Sequence, residues 1–331
     1  YFFIKIISVS RYRKINKKNC FHSFNYNFLK TKDYYIDRCY NKSVTQYSEK
    51  NFFLINIIKR KDFFLNFFKK KRIIKNLPVL VADEYISLID VIKVYYETAI
   101  IFFRLIFYLS KSRKFFYLNN KNCESVLKPL LLMSFSGGIQ QSILIGKSIH
   151  NSLKNKNIRL FINYAEFNPN MRSIYFYVRA LKQVPKIITI QHGAANKNLL
   201  FFSHKKNEFT NFTKKEGKFF SPSPDIYLVQ GEYFKNILQS YFPKPVFIIG
   251  SLKYDTINFN QKQNNILSKI KNKNKIALIC PSIGDENLIL NFLQNCNKSN
   301  YRIVLSPHPT FKKKIIKNYL DKLSSKFNIE I

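Results

Sequence analysis

The chain has 331 residues and a formal charge of +37, from 56 Lys and Arg against 19 Asp and Glu. That length supports two domains, each with its own core. Five cysteines without C-x-x-C spacing exclude a disulfide framework and a zinc site, and fit free thiols in a reducing compartment. The basic excess favours an anionic partner, either a nucleotide phosphate or an anionic leaflet. Lys is spread along the whole chain, which argues for a solvated surface over a nucleic-acid groove.

The first apolar stretch, Tyr1–Ile7, is too short for a secretory signal and runs into Arg11-Tyr-Arg-Lys14. Residues 1–75 are weakly patterned: aromatic runs such as Asn51–Ile58 and Asp62–Phe68 alternate with Lys clusters, and their period leaves helix and strand both open. Aromatics mixed with Lys suit nucleic acid or a membrane surface, and equally an amphipathic helical region packed on a first lobe. Pro78–Val81 suits a strand. Asp83–Leu109 has helical spacing, and its apolar end, Ile100–Leu109, is shorter than a bilayer span and interrupted by Arg104, so it reads as a buried or interfacial helix.

Regular alternation is expected from residue 129. Pro129–Ser134 reads as a strand, Ile139–Leu153 as a helix, Asn157–Tyr164 as a strand and Met171–Val184 as a helix capped by Asn168-Pro-Asn170. Ile187–Ile190 is a further strand, stopped by Gln191-His192-Gly193. This order predicts a parallel sheet. The polar stretch 196–224, ending in Ser221-Pro-Ser-Pro224, reads as a linker. Strands then recur at Asp225–Val229, Pro245–Ile249, Lys275–Cys280 and Arg302–Ser306, with helices at Gly231–Phe242, after Asp285 and over Phe311–Phe327. The expected division is 1–75, a first Rossmann-like lobe over 76–210 and a second over 225–331, with a ligand cleft between the lobes.

The chemistry-bearing residues sit at strand ends, where open α/β sheets bind ligands. His192 ends one strand and His308, held between Pro307 and Pro309, follows another. Glu166 follows the Asn157–Tyr164 strand and Arg172 lies in the next helical turn. A carboxylate and an imidazole at one edge can divide general-base and orienting roles, and an Arg can hold an anion. Gly250-Ser251 and Pro281-Ser282-Ile283-Gly284 are small loops able to bring backbone N–H groups to a phosphate. Ser136-Gly137-Gly138 offers similar access to an acceptor. There is no P-loop, no well-placed dinucleotide fingerprint and no Asp-x-Asp pair at a strand end.

Gln191-His192-Gly193, then Asp225–Gly231, then Ile248-Ile-Gly-Ser251, then Ser306-Pro-His-Pro309 resembles bacterial surface-polysaccharide glycosyltransferases of the GT-B fold. The set is similar to capsule enzymes transferring Kdo or sialic acid, which carry a His-Pro motif. It is also similar to CDP-glycerol glycerophosphotransferases, which carry His-Gly and His-Pro motifs. The resemblance covers roughly residues 130–310 and implies an α/β, GT-B-like architecture of two Rossmann-like parallel-sheet lobes facing a cleft.

It further implies transfer of a sugar or glycerol phosphate from a CMP- or CDP-linked donor to a surface glycan or lipid-linked acceptor. His192 and Glu166 would be catalytic. His308, Pro309, Ser282, Gly284, Gly250, Ser251, Arg172, Gln191 and Gly193 would bind substrate. The resemblance implies no metal and no cofactor beyond the nucleotide-linked donor, and a cytoplasmic enzyme peripheral on an anionic inner membrane, with nucleic acid not a partner. The family pattern continues past the point reached at Ile331, so the second lobe is expected to be incomplete. The rival readings are a GT-B-like nucleotide-sugar epimerase and a non-catalytic binder of anionic polymer.

Overall fold

The computed structural model describes residues 16–24, 28–30, 35–37, 40, 50–56, 79–111, 116–118, 121–165, 169–191, 209, 212–214, 217–240, 242–250, 252, 275–279, 301–305 and 329–330. The chain divides into two compact units, Tyr1–Ile257 and Asn258–Ile331.

The first unit begins with β1 (Asn19–Phe24), a short antiparallel pair β2 (Phe28–Lys30) and β3 (Tyr35–Asp37), then β4 (Asn51–Asn56) and β5 (Val79–Val81). Helix α1 (Leu88–Lys111) follows, and then the small pair β6 (Tyr117–Leu118) and β7 (Lys121–Asn122). Next come α2 (Glu124–Ser134), α3 (Gly138–Leu153), β8 (Leu160–Ala165), α4 (Pro169–Arg179) and β9 (Lys186–Gln191). A third antiparallel pair, β10 (Phe212–Lys214) and β11 (Gly217–Phe219), precedes β12 (Ile226–Val229), α5 (Glu232–Gln239) and β13 (Val246–Ile248).

Seven of these strands form one open sheet in the order β13-β12-β9-β8-β1-β4-β5. Every pairing in it is parallel. The chain builds outward from β1 through β4 to β5, returns to set β8 on the other side of β1, and continues through β9 and β12 to β13. The order is compatible with a Rossmann-like, doubly wound sheet, with its switch point between β1 and β8.

This corrects two readings. The region 1–75 does not merely pack on a lobe: β1 and β4 are interior strands, and all six residues of β4 are buried. A strand covered on both faces needs apolar residues at successive positions, so the alternating pattern that marks a half-exposed strand is absent. The division also falls at Ile257/Asn258, not within 196–224. Strands β12 and β13 extend the first sheet, and Ser221 and Ser223 of the apparent linker are buried.

A third correction concerns Pro129–Ser134, which belongs to helix α2. The Asn122 side chain accepts the Glu124 N–H at 2.9 Å, a local side-chain turn just ahead of the N-cap residue Cys123. Pro129 removes one helical donor within it. A short Leu run carries no period by which to tell a strand from a helix.

Helices α3 and α4 pack on the sheet through Ile145, Ile149, Leu153, Ile174, Tyr175 and Val178, which share one core with Cys20, Leu54, Phe161 and Ile187. Gly146 permits their close approach: a Cβ there would meet Ser173 Oγ at 2.5 Å and the Ser173 carbonyl oxygen at 2.8 Å.

The second unit contains a parallel sheet in the order β14 (Lys275–Ile279), β15 (Tyr301–Leu305), β16 (Ile329–Glu330). The expected strands at Lys275–Cys280 and Arg302–Ser306 are present within a residue of their predicted ends. The helices expected after Asp285 and over Phe311–Phe327 lie outside the described residues.

Candidate functional site

Strands β8 and β9 are neighbours, in register from Leu160↔Lys186 to Ala165↔Gln191. They end level at the carboxyl edge of the sheet, and the residues that follow them are Glu166 and His192. Glu166, His192 and Gly193 themselves lie outside the described residues. Arg172 is described: it is half-buried in the first turn of α4, the helix that leaves β8. Its charge reaches the buried Tyr227 hydroxyl, whose pKa burial raises well above 10, with Tyr175 adding to the rise and Arg172 opposing it. Gln191 is buried, and its Oε1 accepts the Gln230 N–H at 2.9 Å, tying the end of β9 to the end of β12. This gives Gln191 a structural role at the edge.

A buried polar cluster fixes these strand ends from behind. Thr189 Oγ1 donates to Asn163 Oδ1 at 2.7 Å, and the Tyr175 hydroxyl lies 2.8 Å from Thr189 Oγ1 and donates to Asn163 Oδ1 at 3.2 Å. Asn163 Nδ2 lies 3.1 Å from the Met171 sulfur. Burial pushes the Tyr175 pKa up to about 12, against the pull of its hydrogen bonds with Thr189 and Asn163. Tyr175 therefore stays a neutral phenol at any working pH. Its hydrogen bonds tie β8, β9 and α4 together.

A second cluster lies on the other side of the switch point. His22 Nε2 is 3.0 Å from Asn56 Oδ1. Asn56 Nδ2 donates to Asp83 Oδ2 at 3.1 Å and to Ser148 Oγ at 2.9 Å. With Asn56 Oδ1 as acceptor, the His22 proton sits on Nε2, and the buried Nδ1 has no hydrogen-bond partner among the described residues. Burial lowers the His22 pKa to about 4, against the opposing hydrogen bond it donates to Asn56, so the ring is neutral. Tyr40 joins β1 to β8, its hydroxyl close enough to bond the His22 carbonyl (2.6 Å) and the Ile162 carbonyl (3.2 Å). Sequence reasoning missed this cluster because its strands lie in the unpatterned region. The available signal was Pro78–Val81, a strand running directly into Asp83.

The opposite, amino edge carries an ion pair. Arg179 Nη2 lies 2.6 Å from Asp225 Oδ1 and donates to the Ser223 carbonyl at 2.9 Å. Asp225 Oδ2 accepts the Ile187 N–H at 2.8 Å, and the Asp225 N–H donates to the Ile187 carbonyl at 2.8 Å. Lys244 donates to Ser223 Oγ and the Pro224 carbonyl. Burial lowers its pKa to about 8, helped by the Arg179 charge and opposed by Asp225.

Of the loops assigned to the second lobe, Gly250 belongs to the first unit, just after β13, in the left-handed region at φ 73°. Ser251 follows it and is not among the described residues. Strands β14 and β15 are adjacent and parallel, in register to Ile279↔Leu305. The loops holding Ser282 and Gly284, and His308 and Pro309, therefore leave the same edge of the three-stranded sheet. Those four residues lie outside the described ones. Among the described residues, no three His, Cys, Asp or Glu side chains come together to hold a metal ion. No known-family model and no curated protein sequence matches the chain.

Proposed function

We propose that the chain is a metal-independent transferase of the GT-B type, moving a sugar or glycerol phosphate from a CMP- or CDP-linked donor to a surface glycan or lipid-linked acceptor. One observation carries the reading: adjacent parallel strands β8 and β9 end level at Ala165 and Gln191, immediately before Glu166 and His192. A catalytic pair needs two loops that start side by side from a rigid frame, and the Asn163–Thr189–Tyr175 cluster supplies that rigidity.

In the sugar-transfer form, the acceptor hydroxyl attacks the donor's anomeric carbon. The C–O bond to the nucleotide phosphate breaks, its electron pair stays on the phosphate oxygen, and the hydroxyl proton passes to His192 or Glu166. The departing phosphate needs hydrogen-bond donors, and His308, together with backbone N–H groups at Ser282–Gly284, is proposed to supply them. Arg172 holds an anionic group of the acceptor.

The test is transfer from CMP- and CDP-linked donors to a lipid-linked acceptor, without added metal. His192→Ala and Glu166→Gln are expected to lower kcat at least ~100-fold, the usual range for loss of a general base, with the melting midpoint unchanged. Conversion of the donor to an epimer without acceptor would support the epimerase reading instead. Steeply salt-dependent polymer binding, with no nucleotide binding, would point to a binding protein.

A further inference from the structure

Helix α1 spans 24 residues, about 36 Å at the usual rise. Its inner line is short: Val94, Thr98 and Leu109 are buried, and Val94 packs with Ile86 and Leu144. At 100° per residue, Ile89, Ile92, Tyr96, Phe103 and Phe107 fall on the opposite side in one row. All five are exposed, from 61% to 76%. A soluble helix carries its charges there. Here the charges are displaced to one flank, where Lys93, Arg104 and Lys111 form a second row and Glu97 pairs with Lys93.

Helix α2 continues the surface. None of its residues is buried, and Val126, Leu130 and Met133 are 58–67% exposed. Phe102 of α1 meets Phe135, just past α2, at 5.3 Å between ring centroids, and a groove of about 440 Å³ joins the two helices. Monomeric proteins rarely leave so continuous an apolar surface uncovered.

We propose that α1, with α2 beside it, docks the protein on an anionic lipid bilayer, lying in the plane of the interface. Three features select this occupant. No helix among the described residues is long and apolar enough to cross a membrane. The exposed row mixes Tyr with Phe and Ile, side chains suited to the boundary between headgroups and acyl chains. The flanking cations, on a chain of net charge +37, complement anionic headgroups and oppose a second copy of the same chain. The inference stands on this surface alone and does not depend on the transferase reading.

The chain contains no Trp, so Phe107→Trp creates a single fluorescent reporter on the outward row. Phosphatidylcholine vesicles with and without phosphatidylglycerol are the probes. The reporter's emission is expected to shift to the blue with the anionic vesicles and to stay unchanged with the neutral ones. In flotation, the wild type rises with anionic vesicles, Phe103→Ser/Phe107→Ser loses at least tenfold in bound fraction, and Arg104→Glu/Lys111→Glu rises with neither vesicle. Ile89→Ser, at the other end of the row, repeats the test should the double variant melt early. Unchanged flotation of the folded Ser variants, or no flotation of the wild type, overturns the proposal. So does a wild-type dimer, seen by light scattering, that the Ser variants convert to monomer, because a second copy then covers the face.

Discussion

The two edges of the seven-stranded sheet carry different polar groups. At the amino edge, Arg179, Asp225, Ser223 and Lys244 bond to one another and to the backbone of β9. At the carboxyl edge the described polar groups lie behind the strand ends, in the Asn163–Thr189–Tyr175 cluster, and the chain then runs into Glu166 and His192. The amino edge holds strands together, and the proposed function puts the reacting residues at the carboxyl edge. Substitutions at the two edges should therefore separate stability from turnover.

The largest stability effect is expected at the amino edge. Asp225→Ala leaves the Arg179 guanidinium, 8% exposed, without its partner and the Ile187 N–H without its acceptor. Asp225 is 28% exposed and Arg179 keeps the Ser223 carbonyl, so the loss sits at the low end for a broken buried pair, about 3 kcal/mol, read as a lower urea midpoint. Turnover per folded molecule should not change. The reverse outcome, lost turnover at full stability, would erase the distinction between the edges.

The switch-point cluster should make stability fall with acid. His22 is held at about 4 when folded, against 6.5 when exposed. Between those values the unfolded chain binds a proton that the folded chain does not. The His22 contribution is thus complete above pH 6.5 and shrinks as pH drops to 4, by about 3 kcal/mol in all. Stability against pH in wild type and His22→Gln measures it; an unchanged slope in the variant would place the acid sensitivity elsewhere.

Smaller effects belong to the helix layer. Gly146→Ala should cost about 2 kcal/mol, because the added methyl meets the Ser173 backbone. Tyr175→Phe should cost about 1 kcal/mol, since Thr189 still donates to Asn163 Oδ1. It should lower turnover by more than that loss implies if the cluster aims the β8 and β9 loops. Thermal midpoints and kcat on the same samples separate the two contributions.

Between Ile139 and Gln191, and again from Asp225 to Ile249, the sequence is legible because the helices carry a clear period and Gly or Pro follows most elements: α3, β8, β9, β12, α5 and β13 lie close to where expected, while α4 ends at Arg179, five residues before the expected Val184. It hid β1 and β4 for a physical reason, since Cys20–Phe24 and Asn51–Asn56 are covered on both faces and show no alternation. Ser221-Pro-Ser-Pro224 reads as a linker by composition, yet Ser223 is buried and its carbonyl accepts from Arg179, a contact between residues 44 positions apart that no local pattern announces. At the candidate site, the strand-end positions of Glu166 and His192 follow from local pattern. The Asn163–Thr189–Tyr175 cluster behind them becomes visible only once β8 and β9 are paired.

The most direct test of the transferase account is a thermal-shift panel of CMP, CDP, UDP, GDP and ADP, with and without magnesium, on wild type and His308→Ala. A ligand bound only by the folded state raises the melting point by mass action. The account predicts a selective rise with a cytidine nucleotide, independent of magnesium and lost in His308→Ala. No shift with any nucleotide, or an equal shift in the variant, would contradict it.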